Sequence, residues 1–134
     1  MELIASPVQG LNVIAGYGHN INKYVNAADA VKGKEVTQNP NDMANLWISY
    51  KVMSGKIKGL GLGIGGNYVS KAWFDAANTF IIPEHTIANA TLFYDQPKYR
   101  VGVKVDNLGN QKYWDVNGTT NVLRQFIGSM TFKF

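Results

Sequence analysis

The sequence contains no cysteine, only 4 proline residues and no long apolar run. The absence of cysteine excludes both a disulfide framework and a thiolate metal site. No stretch approaches the ~18 consecutive apolar residues that a membrane-crossing helix requires, although β-strands of a membrane barrel escape such a test because their faces alternate. Charge is sparse as well, with a net charge of +4 and basic residues scattered along the chain, so we expect no nucleic-acid partner.

Glycine and aromatic residues are abundant instead, with 14 Gly, 7 Tyr, 6 Phe and 3 Trp. β-Barrels use glycine for close packing and aromatic residues for girdles at the membrane interfaces. Residues 122–134 show another barrel feature, which is a period-2 pattern with one apolar and one mostly polar face over a length that suits a tilted membrane strand. One face of this segment carries Phe126, Gly128, Met130, Phe132 and Phe134.

Period-2 alternation also predicts strands elsewhere in the chain. The predicted strands are residues 2–6, 11–24, 43–53, 59–74, 83–94, 99–107 and 122–134. In the fourth of these, branched aliphatic residues alternate with Gly61, Gly63 and Gly65, and a glycine-lined face leaves room for another body close to the sheet.

The connections between these strands alternate in length without exception. Short turns cover residues 7–10, 54–58 and 95–98, and longer loops cover residues 25–42, 75–82 and 108–121. Outer-membrane barrels have short periplasmic turns and longer extracellular loops. We therefore predict an all-β fold: an antiparallel, up-and-down transmembrane β-barrel segment of about seven strands that forms an incomplete barrel.

One predicted strand displays the two faces of such a wall. Val101, Val103 and Val105 alternate with Arg100, Lys104 and Asp106, as expected between lipid and a watery lumen. The residues predicted to face lipid are Val101, Val103, Val105, Met130 and Phe132. Aromatic residues fall into two bands at the strand ends, as girdles do. The outer band contains Trp73, Phe74, Tyr113 and Trp114, and the inner band contains Tyr50, Tyr94, Tyr99, Phe132 and Phe134.

The sequence offers no catalytic constellation. His19 and His85 have no cysteine or carboxylate at metal-ligand spacing, and no nucleophile has an adjacent base. The segment GLGLGIGG lacks the Lys-Ser/Thr of a phosphate-binding loop, and its alternating aliphatic residues favour a strand. We expect no enzyme activity, no catalytic residue, no metal site and no cofactor.

Aromatic residues near the long loops are the candidates for ligand contact, because rigid rings give contact area at low entropic cost. These candidates are Trp73, Phe74, Tyr113 and Trp114, and a membrane girdle is the competing interpretation for each. Two alternatives for the whole chain remain open at this point. One is a small soluble barrel that binds an apolar ligand, with the three valines turned inward, and the other is a self-contained small membrane barrel.

Three ordered stretches carry a resemblance to a known family. They are MANLW (43–47) followed by GLGLG (59–63) and NYV (67–69), then AANTF (76–80) with Pro83 and Thr86, then VDNL (105–108) with KYW (112–114). Together they resemble the C-terminal barrel strands of TonB-dependent receptors, especially the ferrichrome and ferrioxamine group. The resemblance covers nearly the whole chain.

The resemblance implies a receptor of about 22 strands with an N-terminal plug, which imports a ferric siderophore across the outer membrane of a Gram-negative cell. Residues 1–134 would be the C-terminal part of that barrel, with the C-terminus in the periplasm, and we expect a fragment of a longer protein. The expected partners are outer-membrane lipid, the ferric siderophore, the rest of the barrel and plug, and the β-barrel assembly machinery. A terminal phenylalanine, here Phe134, resembles the signal which that machinery recognises.

Overall fold

A computed structural model describes residues 1–134 as a β protein. The strands are β1 (Glu2–Ala5), β2 (Leu11–His19), β3 (Asp42–Lys51), β4 (Leu60–Val69), β5 (Ala72–Trp73), β6 (Ile81–Ile82), β7 (His85–Asp95), β8 (Tyr99–Asp106) and β9 (Gln125–Phe132). Seven of them form one antiparallel sheet in the order β1-β2-β3-β4-β7-β8-β9, and β5 pairs only with β6. The structure has no helix of the length and hydropathy that crossing a bilayer requires.

The main sheet is an open meander, because each strand lies next to its neighbour in the chain and the outer strands β1 and β9 do not pair. The expected fold class, an incomplete up-and-down barrel segment of about seven antiparallel strands, is therefore confirmed. The alternative of a small closed barrel with an enclosed apolar ligand is wrong, since the sheet surrounds no interior.

Three predicted strand boundaries are too generous by three residues or more. The second strand ends at His19 instead of residue 24, and the last begins at Gln125 instead of residue 122. The fourth strand ends at Val69 instead of residue 74. Its alternation continues into Ala72–Trp73, but these residues pair with Ile81–Ile82 in a separate hairpin. Periodicity detects the extended backbone and does not reveal that the pairing partner has changed.

The register separates the residues of the main sheet onto two faces, since directly paired residues lie on the same side. Val103 pairs with Leu92 and Gly128, and Leu92 pairs with Leu62. We call this side the apolar face. Its members between the two ends of the sheet are Leu3, Ala5, Leu11, Val13, Ala15, Tyr17, Ala44, Leu46, Ile48, Tyr50, Leu60, Leu62, Ile64, Gly66, Tyr68, Thr86, Ala88, Ala90, Leu92, Tyr94, Tyr99, Val101, Val103, Val105, Phe126, Gly128, Met130 and Phe132.

The opposite side, which we call the polar face, carries the amides, hydroxyls and charges of the sheet. Its polar members include Asn12, Asn45, Ser49, Lys51, Asn67, Asn89, Thr91, Asp95, Arg100, Lys104, Asp106, Ser129 and Thr131. No charged residue interrupts the apolar face between its two ends. Such a division of the charged residues is typical of a wall with lipid on one side and water on the other.

The glycines of β4 allow two aromatic side chains to lie flat on the polar face. Trp47 of β3 covers Gly63 and Gly65, and the ring of Phe93 of β7 covers Gly61. A Cβ atom at Gly63 would lie 2.6 Å from Cζ2 of Trp47. The room that the sequence predicted for another body is therefore occupied by the side chains of adjacent strands.

The sheet has almost no core. Only 7 of the 134 residues are buried, and no large side chain is fully enclosed. Leu62, Leu92 and Met130 on the apolar face are 57%, 52% and 61% exposed. A water-soluble domain places such side chains inside, so the fold leaves a broad apolar surface that needs an apolar surrounding.

Candidate functional site

Three long connections meet at one end of the sheet and form the candidate ligand-binding region. We call them loop 1 (residues 20–41), loop 2 (70–84) and loop 3 (107–124). The connections at the opposite end, residues 6–10, 52–59 and 96–98, are short. The alternation of short and long connections that the sequence predicted is thus present in the fold.

Loops 1 and 2 are joined by hydrogen bonds around Glu35. The backbone N–H of Glu35 donates to Oδ1 of Asn78 at 2.8 Å, and Nδ2 of Asn78 donates to the Glu35 carbonyl at 3.0 Å. The indole N–H of Trp73 donates to Oε2 of Glu35 at 3.0 Å, and the backbone N–H of Gln38 donates to the carbonyl of Trp73 at 2.8 Å. A fifth contact runs from Nζ of Lys34 to the carbonyl of Ala77. The two loops therefore form one hydrogen-bonded unit.

The tip of loop 2 is closed by a single carboxylate. Oδ1 of Asp75 accepts from the backbone N–H of Phe80 at 2.7 Å and of Thr79 at 2.9 Å, and Oδ2 accepts from the Thr79 hydroxyl at 2.8 Å. Asn78 follows with a φ of 54°, a conformation that asparagine tolerates better than most residues. The hydrogen bonds, led by that of Phe80, hold the pKa of Asp75 below its ordinary value.

Loop 3 is attached to the sheet through Asn107, which is only 4% exposed. Its backbone N–H donates to Oδ1 of Asn89 at 3.0 Å, and its side chain donates to the Gln111 carbonyl at 2.8 Å. Oδ1 of Asn107 in turn accepts from the backbone N–H of Gln111 at 2.8 Å. Asn107 has a φ of 52°, so the chain turns sharply where β8 ends. The loop thus leaves the sheet along a defined path.

An apolar pocket lies where loops 2 and 3 meet. Its volume is about 370 Å³, and its lining residues are Phe74, Phe80, Ile81, Ile82, Pro83, Trp114 and Gly118. Gly118 has a φ of 74° and would clash with the ring of Phe74 if it carried a Cβ atom, because that atom would lie 2.9 Å from Cε2. Phe74 and Trp114 remain half exposed in this pocket. Exposed aromatic rings around a concave surface can bind an apolar group.

A second pocket, of about 260 Å³, opens on the polar face beneath loop 3. The ring of Tyr113 stacks on that of His85 at a centroid distance of 4.4 Å and an interplanar angle of 29°. Asn67, Asn89 and Asp106 supply amide and carboxylate groups to the same pocket. It can therefore present both a ring face and hydrogen-bonding groups to a ligand.

The structure separates the four aromatic residues that the sequence grouped as ligand-contact candidates. Phe74 and Trp114 line the apolar pocket, and Tyr113 lies over the polar one. Trp73 is half buried and its indole N–H is occupied by Glu35. The sequence did not identify His85, Asn67 and Asn89 as pocket residues, because they meet Tyr113 only through strand register and the course of loop 3.

The expected outer aromatic band requires a correction. Trp73, Phe74, Tyr113 and Trp114 lie in loops 2 and 3 and not on strands of the main sheet. The aromatic residues at the long-loop end of the apolar face are Tyr17, Tyr68 and Phe126. The hydroxyl of Tyr17 donates to Asp42 at 2.5 Å and that of Tyr68 to Glu84 at 2.8 Å. Alternation with the neighbouring apolar residues is the sequence signal that could have revealed both tyrosines.

The inner band agrees with the sequence more closely. Tyr50, Tyr94, Tyr99 and Phe132 all lie on the apolar face, at the end with the short turns. The rings of Tyr94 and Tyr99 are 6.3 Å apart. Val101, Val103, Val105, Met130 and Phe132, the residues predicted to face lipid, share this face. Phe134 lies two residues beyond the end of β9. No group of three or more histidine, aspartate or glutamate side chains is arranged to hold a metal ion.

Similarity to known proteins agrees with this geometry. The family described as "TonB dependent receptor-like, beta-barrel" matches residues 2–108. The chain is 30% identical to the ferrichrome outer membrane transporter and phage receptor of Escherichia coli strain K12, over 100% of this chain and 19% of that protein. It is 33% identical to the ferrioxamine receptor of Yersinia enterocolitica, over 77% of this chain and 15% of that protein.

Solved structures share the fold. The siderophore receptor PiuA from Acinetobacter baumannii superposes with a TM-score of 0.81 at 22% identity, covering 99% of this chain and 21% of that one. The ferripyoverdine receptor of the outer membrane of Pseudomonas aeruginosa gives a TM-score of 0.75 at 22% identity, covering 99% and 19%. The chain spans about a fifth of the length of the proteins it matches. It belongs to the β-barrel family of TonB-dependent receptors, which is a family of receptors and transporters and not of enzymes.

Proposed function

We propose that residues 1–134 form the C-terminal strands of an outer-membrane receptor barrel that takes up ferric siderophores. The observation that carries the proposal is the division of the sheet into an apolar face, which carries no charge between its two ends, and a polar face, over six full-length strands. The transported class proposed is ferric siderophores. It is supported by the family and by the similarity to receptors named for ferrichrome and ferrioxamine. In this proposal the chain supplies part of the barrel wall and no chemistry.

In the proposed orientation the apolar face contacts lipid through Val101, Val103, Val105, Met130 and Phe132. The polar face lines the lumen, the three long loops lie outside the cell, and the C-terminus and short turns lie in the periplasm. Aromatic residues at both ends of the apolar face support this orientation, because their amphipathic rings favour the membrane interfaces.

The open edges of the sheet define the structural partners. β1 and β9 each present an unpaired row of backbone groups, which lipid does not tolerate. The remaining strands of the receptor barrel would pair with these edges, and the plug would fill the lumen against the polar face. Phe134 would be the residue that the β-barrel assembly machinery recognises.

The siderophore would contact the two pockets under the long loops. Tyr113, with Asn67 and Asn89 beside it, offers a ring and amides on the lumenal side, and Phe74 and Trp114 offer an apolar surface. The ring of Trp73 remains a candidate for contact with the siderophore, although its indole N–H donates to Glu35. Ring faces and a few convergent polar groups suit an organic chelate whose iron is enclosed.

Site-specific labelling tests the orientation of the wall. The natural chain has no cysteine, so Val103→Cys and Lys104→Cys each introduce one reactive thiol on opposite faces of β8. A polarity-sensitive fluorophore at position 103 should show blue-shifted emission in lipid vesicles, and the label at position 104 should report water. Equal emission from the two adjacent positions would contradict the proposal.

Ligand binding is tested in the complete receptor that contains this chain. We expect Tyr113→Ala and Trp114→Ala to weaken binding of ferrioxamine B or ferrichrome by about ten-fold or more, since a buried aromatic contact contributes over 1 kcal/mol. Tyr99→Ala, at the opposite end of the sheet, is the matched control and should leave the affinity unchanged. Unchanged affinity in both loop variants would remove these residues from the proposed site.

A further inference from the structure

Positive charge collects at one end of the sheet, although the basic residues are scattered along the sequence. The end with the short turns carries Lys51, Lys56, Lys58, Lys98, Arg100 and Lys133, with Asp95 as its only acidic side chain. The rest of the chain carries the other 7 basic and 8 acidic residues of the sequence. The net charge of +4 therefore comes from the short-turn end, because the rest of the chain is nearly neutral.

Half of these cations already have partners on the polar face. Nζ of Lys133 lies 2.6 Å from Oδ1 of Asp95, and Nζ of Lys51 lies 3.5 Å from Oδ2 of the same carboxylate. The guanidinium of Arg100 lies over the ring of Phe93, 4.4 Å from its centroid. Lys51 and Arg100 belong to strands, Lys133 directly follows β9, and each of the three is engaged by another group of the same wall.

The other three cations have no partner. Lys56, Lys58 and Lys98 are exposed residues of the short turns, and their ammonium groups form no ion pair or hydrogen bond. The two turns are held side by side, because Nε2 of Gln96 donates to the Lys58 carbonyl at 2.7 Å. Lys56, Lys58 and Lys98 therefore lie on two adjoining turns, and we call them the turn lysines.

The turn lysines adjoin the aromatic band of the apolar face. Lys98 directly precedes Tyr99, and the turn that carries Lys56 and Lys58 follows Tyr50 after a few residues. Successive strand residues rise by roughly 3.3 Å, so the lysines lie just beyond the tyrosine rings along the strand direction. In a membrane wall this is the level at which phosphodiester headgroups lie, while aromatic rings occupy the boundary with the acyl chains.

We infer that the turn lysines bind the headgroups of anionic phospholipids in the leaflet that surrounds the short-turn end. The inference rests on the proposed function, because it requires the apolar face to contact lipid. A lipid surface fits better than an acidic protein in the lumen, since the cations on the lumenal side are already paired and the free ones lie in the turns. Each lysine near an anionic membrane strengthens association by about five-fold, so three of them give on the order of a hundred-fold.

Folding of the complete receptor that contains this chain from urea into vesicles tests the inference, because the open edges of β1 and β9 need their partner strands. One set of vesicles contains only phosphatidylcholine, and the other also contains phosphatidylglycerol. We expect stronger association with the anionic vesicles, and we expect Lys56→Gln/Lys58→Gln/Lys98→Gln to lose most of that preference. The control variant Lys23→Gln/Lys32→Gln/Lys112→Gln removes three exposed, unpaired lysines from the loop end and should retain the preference.

The neutral vesicles separate failure of this inference from failure of the proposed function. A receptor that does not enter phosphatidylcholine vesicles contradicts the membrane wall itself. A receptor that enters both kinds of vesicle equally overturns only the headgroup site. Equal loss in the two triple variants would also overturn it, because the preference would then follow net charge and not the short-turn end. High salt should abolish the preference of the natural chain if the inference is correct.

Discussion

At the scale of single residues, the glycines of β4 determine what the polar face presents. Gly61, Gly63 and Gly65 pair across the sheet with residues of β3 and β7, so the rings of Trp47 and Phe93 can lie over them. The alternating glycines predicted room for another body close to the sheet, and the rings of the two neighbouring strands occupy that room instead. The identity of the approaching groups required the register, because sequence spacing alone does not tell which residues of other strands lie opposite.

Substitution of Gly63 by valine tests this packing. A Cβ atom there would lie 2.6 Å from Cζ2 of Trp47 and 2.9 Å from Cγ2 of Thr91, so both side chains must move. We expect a loss of about 1–3 kcal/mol in the free energy of unfolding, the usual cost of overpacking, measured by denaturant titration in detergent. Gly128→Val is the control, because no atom lies within 4 Å of its added Cβ. Trp47→Ala combined with Gly63→Val should lose less than the sum of the single variants.

The hydrogen bonds that Asp75 accepts should make the order of loop 2 depend on pH. Its folded pKa is lowered by hydrogen bonds led by that of the Phe80 N–H. Its contribution to loop 2 is therefore present above the ordinary carboxylate pKa and is lost as the pH falls through the lowered folded value. Hydrogen exchange measures this through the protection factors of the Thr79 and Phe80 amides. We expect protection at neutral pH, a decrease in acid, and a low, pH-independent protection in Asp75→Asn. Asp115→Asn, in loop 3, should leave these two amides as they are in the natural chain.

At the scale of elements, alternation identified all seven strands of the main sheet and their order. The misplaced end of β4 has a physical cause, since an extended segment can keep its alternation after it leaves the sheet. Ala72–Trp73 continues the pattern of β4 and pairs with Ile81–Ile82. The Asn78 contact with Glu35 was equally hidden, because 43 residues separate the two in sequence. Contacts between loops have no period to reveal them.

A conservative substitution at Trp73 tests whether hydrogen bonds hold loops 1 and 2 together. Trp73→Phe retains an aromatic ring and removes the 3.0 Å hydrogen bond from the indole to Oε2 of Glu35. We expect loop 1 to become more accessible, which tryptic cleavage after Lys32 and Lys34 would report as a several-fold faster rate. The matched control is Trp114→Phe, which makes the same chemical change at an indole that donates no hydrogen bond in the structure.

The same pair of variants distinguishes two roles for Trp73. If its ring also contacts a siderophore, Trp73→Phe should retain binding of ferrichrome or ferrioxamine B while the tryptic rate rises. Cleavage rates equal to those of the natural chain would show that the Glu35 contact does not join the loops. The expected difference exists because a hydrogen bond to a carboxylate is among the stronger polar contacts of an exposed loop.

At the scale of the whole molecule, the two faces of the sheet differ in polarity, and its two ends differ in loop length and charge. One face is apolar between aromatic bands, the loop end carries pockets, and the short-turn end carries the excess of positive over negative charge. Alternation within each strand predicted the faces, because it depends only on backbone geometry. The charge asymmetry between ends was not predictable from composition, since it depends on which connections lie together.

A depth series of arginine substitutions tests the membrane wall as a whole. Leu92 lies on the apolar face within β7 (His85–Asp95), nearer the middle of the sheet than Tyr99, and pairs with Leu62 and Val103. We expect Leu92→Arg to cost about 2–4 kcal/mol in the free energy of unfolding in lipid, and Tyr99→Arg, at the short-turn end, about 0–1 kcal/mol, because a charge costs most at the bilayer midplane. Thr91→Arg is the control, since it places the same charge one residue away on the polar face, where water solvates it. Equal losses at positions 91 and 92 would contradict a lipid-facing surface, because only a low-dielectric surrounding on one side of the sheet makes the two adjacent positions differ.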